Sequence, residues 1–146
     1  YTDDICAHWR FKTPEIAVKS SNKIFAMYLD YRDEEDFIGM DMCRKFLEMG
    51  FTRSRRYANH RDGKKYDKEG NIIPQEPDHA TCHFAKSAKI FKKVRDIVAK
   101  NDTYVKMRKH WRKEVEHSQE ARVNALATAS NVKRAQYSNS KVSRTA

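Results

Sequence analysis

The sequence predicts an all-α protein, and three observations carry that prediction. Apolar residues return at spacings of three and four along several long stretches, no stretch alternates with period two, and residues of helix-capping type stand where those stretches begin. Each element can be justified in turn.

Thr13-Pro14-Glu15 supplies an N-cap hydroxyl, a proline at the first helical position, where its missing N–H costs nothing, and an acid in the positively polarised first turn. The helix that starts there carries Ile16, Ser20, Ile24, Met27, Tyr28 and Tyr31 along one face. A second helix is expected from Asp33, with Glu34, Glu35 and Asp36 in its first turn and Phe37, Ile38, Met42, Phe46, Leu47 and Met49 on its apolar side. Gly50 is placed to stop it, because a left-handed residue at the end of a helix is cheap only for glycine. Thr52 can then cap a short basic helix over Arg53 to Asn59, with Phe51 packed ahead of it.

From His60 the chain passes Asp62-Gly63, Glu69-Gly70-Asn71, Pro74 and Pro77 in close succession, which predicts a long surface loop with Ile72 and Ile73 pinning it to the core. A third long helix is expected over Ala80 to Lys100 on the stripe Phe84, Ala88, Phe91, Val94 and Val98. Asn101-Asp102 breaks and recaps the chain. A fourth helix then carries Tyr104, Met107, Trp111 and Val115 and fades past Arg122. After Thr128 there is no acid and little large apolar surface to offset the entropy of ordering. The expected organisation is therefore one α-helical domain over residues 1–127 and a disordered basic arm over 128–146.

The formal net charge of +10 is unevenly spread. Residues 1–52 hold 7 Lys and Arg against 10 Asp and Glu, a net of −3, whereas residues 53–68 hold 7 against 2, a net of +5, and residues 121–146 hold 5 against none. Such concentration favours polyanions and speeds their encounter. Arg53, Arg56 and His60 lie about one helical turn apart, and Arg55, Arg61, Lys64 and Lys65 continue the charge into the loop. Guanidinium forks grip phosphate through two bonds, and Phe51, Tyr57 and Tyr66 could stack on bases. In HWRFK, Arg10 and Lys12 alternate with Trp9 and Phe11, so on an extended segment the cations share one side and the rings the other. The residues expected to meet an anion or nucleic acid are thus Arg10, Lys12, Arg53, Arg55, Arg56, Tyr57, Asn59, His60, Lys64 and Lys65. The competing expectation is that the arginines pair with the acids of the second helix.

Other chemistry is thinly signalled. Cys6, Cys43 and Cys82 have neither the even count nor the dense spacing of a disulfide framework, which favours a reducing, cytoplasmic setting. His79, Cys82 and His83, with Cys6 and His8, lack the paired spacing of a zinc site, and no metal or cofactor is expected. No nucleophile elbow, phosphate loop or HExxH sequence is present, and Asp33 to Asp36 read as a helix-dipole complement. No apolar run is long enough to cross a membrane, so no membrane partner is expected.

HWRFKTPEIA (His8 to Ala17) and MGFTRSRRYANH (Met49 to His60), with the GKKYD that follows, closely resemble the signature of a domain-of-unknown-function family, DUF4385, of small proteins often labelled only "cytoplasmic protein". KIF (Lys89 to Phe91) and NDTYVKMRKH (Asn101 to His110) resemble its looser later pattern, so the resemblance covers about residues 5–115. It implies a cytoplasmic protein and carries over no activity or catalytic residue. Relatives extend further at the N-terminus with a Gly-containing segment, and the tail after Arg122 departs from the family pattern. The functional expectation is a non-catalytic module for RNA, DNA or another phosphate-rich partner. The alternatives are an enzyme or sensor for a small phosphorylated metabolite using the same arginines, and a structural part of a nucleoprotein or virion.

Overall fold

A computed structural model describes the backbone of residues 1–145 and the side chains of residues 1–139. It is all-α: α1 (Thr2–Cys6), α2 (Pro14–Asp33), α3 (Phe37–Asn59), α4 (His83–Ala99) and α5 (Asp102–Thr145). The chain divides into two units, Tyr1–Lys106 and the residues from Met107 on.

In the first unit α3 is central, packing most extensively on α4, then on α2, and on α1. Their shared core is largely apolar, with Ser21, Ser54 and Ser87 also buried. Ile5, Ala17, Ile24, Tyr28, Met40, Cys43, Leu47, Ala88, Phe91, Val98 and Tyr104 are all fully or almost fully buried, and removing such side chains from water is the main favourable term in folding. α2 begins as the sequence predicts: Thr13 Oγ1 accepts from the Ile16 N–H at 3.2 Å, and Pro14 is the first helical residue.

The acids that follow α2 do not open the next helix. Asp33 is its last residue, and Glu35 takes a left-handed conformation, φ 56°. The Glu35 N–H donates to Arg32 O at 3.0 Å and the Asp36 N–H to Tyr31 O at 2.9 Å, the two bonds of a Schellman ending with glutamate in the usual glycine position. α3 therefore starts four residues later than expected, capped by Asp36, whose Oδ1 accepts from the Gly39 N–H at 3.1 Å.

Gly50 corrects the sequence expectation more deeply. It does not stop the helix, and the stretch Arg53 to Asn59 is no separate element, since α3 runs unbroken to Asn59. Thr52 Oγ1 donates back to Met49 O at 3.3 Å instead of capping anything. What requires glycine here is α4: a Cβ on Gly50 would collide with the ring of Phe91.

α4 begins at His83, three residues later than expected, after turns in which the Thr81 and Cys82 N–H groups donate to Asp78 O at 3.0 Å. Asn101 does recap the chain. Its Oδ1 accepts from the Tyr104 N–H at 3.3 Å and from the Tyr28 hydroxyl at 3.0 Å, so one amide caps α5 and ties it to α2. In the loop, Tyr66 and Ile72 form an isolated antiparallel bridge around a turn with Gly70 at φ 83°. Ile72 is 68% exposed and pins nothing; the loop is held by Glu76 N–H to Asn59 O at 2.8 Å and Arg55 to His79 O at 3.2 Å.

The first compact unit ends at Lys106. Of the fourth stripe only Tyr104 is buried, Met107 is half-buried and Trp111 is 45% exposed. Beyond it α5 continues to Thr145, where an unstructured arm over 128–146 was expected, with every described side chain from Arg108 to Asn139 exposed. Nothing after Pro77 is proline or glycine, and Ala121, Ala125, Ala127, Ala129 and Ala135 are the residue type with the best helix propensity. Among the described residues no helix is long and apolar enough to cross a membrane.

Three substitutions test these assignments by urea unfolding. Gly50→Ala should lose about 1–3 kcal/mol through overpacking despite alanine's better helix propensity, and Phe91→Leu in the same chain should recover part of the loss. Glu35→Gly should gain about 1 kcal/mol by relieving a left-handed non-glycine residue.

Candidate functional site

The two motif segments singled out in the sequence meet in space. Ser20, buried in α2, fixes the first: its Oγ donates to His8 O at 2.6 Å and accepts from the Arg10 N–H at 2.9 Å. The Arg10 guanidinium folds back on its own segment, donating through Nη1 to Trp9 O at 2.6 Å and Cys6 O at 3.1 Å. Trp9 and Phe11 turn inward, ring centroids 5.3 Å apart, while Arg10 and Lys12 are exposed.

Because α3 is continuous, Arg53 and Tyr57 stand one turn apart on one face and reach the same place. The Tyr57 ring stacks on Phe84 of α4 at 5.2 Å and 28° and lies 6.0 Å from Phe11, while Phe11 meets Phe84 at 6.3 Å. Arg53 lies over Trp9, Cζ to centroid 5.3 Å, and Trp9 backs onto Phe46 edge-on at 5.8 Å. The result is an open cleft of about 560 Å³ with Trp9, Phe11, Tyr57 and Phe84 among its lining and Arg10, Lys12 and Arg53 as its cations.

Three acids of α3 and α4 are engaged elsewhere. Tyr104 Oη donates to Asp41 at 2.7 Å, Arg44 bridges Asp41 at 2.8 Å and Glu48 at 3.2 Å, and Arg95 bridges Glu48 at 3.2 Å and Asp96 at 2.9 Å. Among the described residues none of Arg10, Lys12, Arg53, Arg55, Arg56, Lys64 and Lys65 makes an ion pair; only Arg61 of this region does, with Glu76 at 3.8 Å. The arginines of the basic stretch do not neutralise the acids of α3.

The remaining candidates separate into two kinds. Arg55 is a strap, donating to His79 O at 3.2 Å and to Asn59 Oδ1 at 2.9 Å, which occupies Asn59 as well. His60 is only 7% exposed, so it does not share a phosphate-facing surface with Arg53 and Arg56. Arg56, Lys64 and Lys65 are exposed, with Lys65 Nζ 5.7 Å from the Tyr66 ring. Phe51 faces α4, where Lys92 and Arg95 lie over its ring, and is not a free stacking surface. The sequence signalled Phe84 and Ile16 only as core stripe and Cys6 only as a weak metal-site candidate, and all three line the cleft. Among the described residues no group of three or more His, Cys, Asp or Glu is placed to hold a metal ion.

Burial pushes the Cys43 thiol up to about 12, so it stays protonated and unreactive at ordinary pH. Iodoacetamide at pH 8 should therefore label exposed Cys6 in the folded protein and reach Cys43 only on unfolding, as read by peptide mass.

No curated protein and no solved structure matches the chain. A family profile does, over residues 1–114, a span that contains both motif segments, the cleft they build and the whole compact unit. On that match the chain belongs to the family described as Domain of unknown function (DUF4385).

Proposed function

We propose that the protein is a nucleic-acid-binding module that takes unpaired bases of RNA or DNA into the aromatic cleft and holds their phosphates with the cations around it. The observation that supports this reading is the combination at one place. The rings of the cleft are part-exposed, Tyr57 the most at 37%, and a base stacked on an aromatic ring is worth about 1–3 kcal/mol; three cations without acidic partners stand beside them. The cleft is open, so a strand could pass through it, whereas a site for a small metabolite is expected to enclose its ligand. Exposed Arg56, Lys64 and Lys65 would add sequence-independent attraction along the strand. Arg55, Asn59 and His60 serve this reading only by holding the loop and the end of α3.

Fluorescence anisotropy with a labelled oligonucleotide tests it. The log–log salt dependence should be steep, about −0.7 per phosphate contacted on a single strand. Arg53→Gln should lower that slope by about 0.7. Tyr57→Leu should cost about 1–3 kcal/mol of affinity and leave the slope alone. A flat salt dependence, or duplex DNA bound as tightly as a single strand of the same length, would sink the reading.

A further inference from the structure

Behind the segment that walls the aromatic cleft lies a second groove, of about 730 Å³, lined by His8, Arg10, Ile16, Lys19, Ser20 and Lys23 and by no carboxylate. It shares Arg10 and Ile16 with the aromatic cleft, so the two are neighbours across one narrow divide. Lys19 and Lys23 stand one turn apart on α2, with Cβ atoms about 5–6 Å from each other, and both are exposed. Among the described residues neither makes an ion pair, and Glu15, one turn before Lys19, does not line the groove.

Lining a concavity with Arg10, Lys19 and Lys23 and no acid raises their mutual repulsion, and nothing in the core asks for it. The groove is also held in shape. The buried Ser20 hydroxyl bonds to His8 O and to the Arg10 N–H, which ties the 8–10 segment to α2 beside its lysines. Concave positive charge with no acid in its lining is the chemistry that recognises a polyphosphate or successive phosphates of one strand.

We infer that this groove is a phosphate site, in which Lys19 and Lys23, with His8 and Arg10, bind the phosphates next to the base held in the aromatic cleft. The inference deepens the proposed function and rests on it for the base, but not for the phosphate. A strand would cross the Arg10–Ile16 divide, with Arg10 at the crossing point, its bases on the ring side and its phosphodiesters on the lysine side. Lys19 and Lys23 belong to neither motif segment, and their charge lies in the part of the chain whose net is negative.

The test uses the whole chain carrying Trp111→Phe, so that Trp9 is the one remaining tryptophan, and two probes, a 12-residue oligothymidylate and inorganic tripolyphosphate. Lys19→Gln/Lys23→Gln is compared with the charge-matched control Lys93→Gln/Lys100→Gln. The lysine pair should lower the oligonucleotide salt slope by about 1.4, at 0.7 per phosphate, while leaving the Trp9 quench at saturation unchanged, and should weaken tripolyphosphate about tenfold in isothermal calorimetry, a two-charge effect. The control should change neither. If the oligonucleotide binds but the two double variants behave alike, the groove is wrong and the cleft reading stands. If tripolyphosphate binds through Lys19 and Lys23 but the oligonucleotide does not, the groove stands and the nucleic-acid reading falls. Binding of neither probe overturns both.

Discussion

The close approach of α3 and α4 at Gly50 is the constraint on which the rest of the first unit depends. With no Cβ in the way, the Phe91 ring sits against the α3 backbone, and the helix passes that point without a break. Continuity keeps a single phase from Met40 to Tyr57. The turns that bury Cys43, Phe46 and Leu47 thereby fix where Arg53 and Tyr57 emerge, and the same approach of α4 brings Phe84 under Tyr57. A stop at Gly50 would have left the basic residues on an independently oriented helix with no reason to meet Trp9.

Much of this was legible in the residues, and the failures share a cause. Thr13-Pro14 and Asn101 are local signals, satisfied by backbone groups within a few residues, and the structure uses each as its spacing predicts; of the Phe84 to Val98 stripe, Ala88, Phe91 and Val98 are buried as expected, while Phe84 lines the cleft. Gly50 misleads because close packing and left-handed backbone demand the same residue, and only the position of Phe91 tells them apart. The acids at 33–36 mislead in the same way: charge complements the start of α3 whether they sit inside it or before it, and Glu35 in a left-handed ending breaks the usual glycine rule. The alternation in HWRFK picked out four residues, Trp9, Arg10, Phe11 and Lys12, that all line the cleft. What it could not show was that α3 and α4 would supply the other rings of the cleft.

Charge placement follows the same logic of competition. A basic stretch of seven Lys and Arg beside an acidic helix could have been self-neutralising. Instead Arg44 and Arg95, both well covered, claim Asp41, Glu48 and Asp96, and Tyr104 completes the chain of bonds from α5 across α3 to α4. Buried or half-buried arginines make the better partners for these acids, because exposed pairs gain little against water. The exposed cations are left with solvent as their counterpart, which is what makes the proposed polyanion partner economical.

The Ser20 hydroxyl has a kinetic consequence. By donating to His8 and accepting from Arg10 it holds the wall between cleft and groove in one conformation before any ligand arrives. Little segmental ordering is then left to happen at the encounter, so association would run at the pace of steered diffusion rather than wait for a loop to close. Differences among ligands would then be expressed in how long they stay.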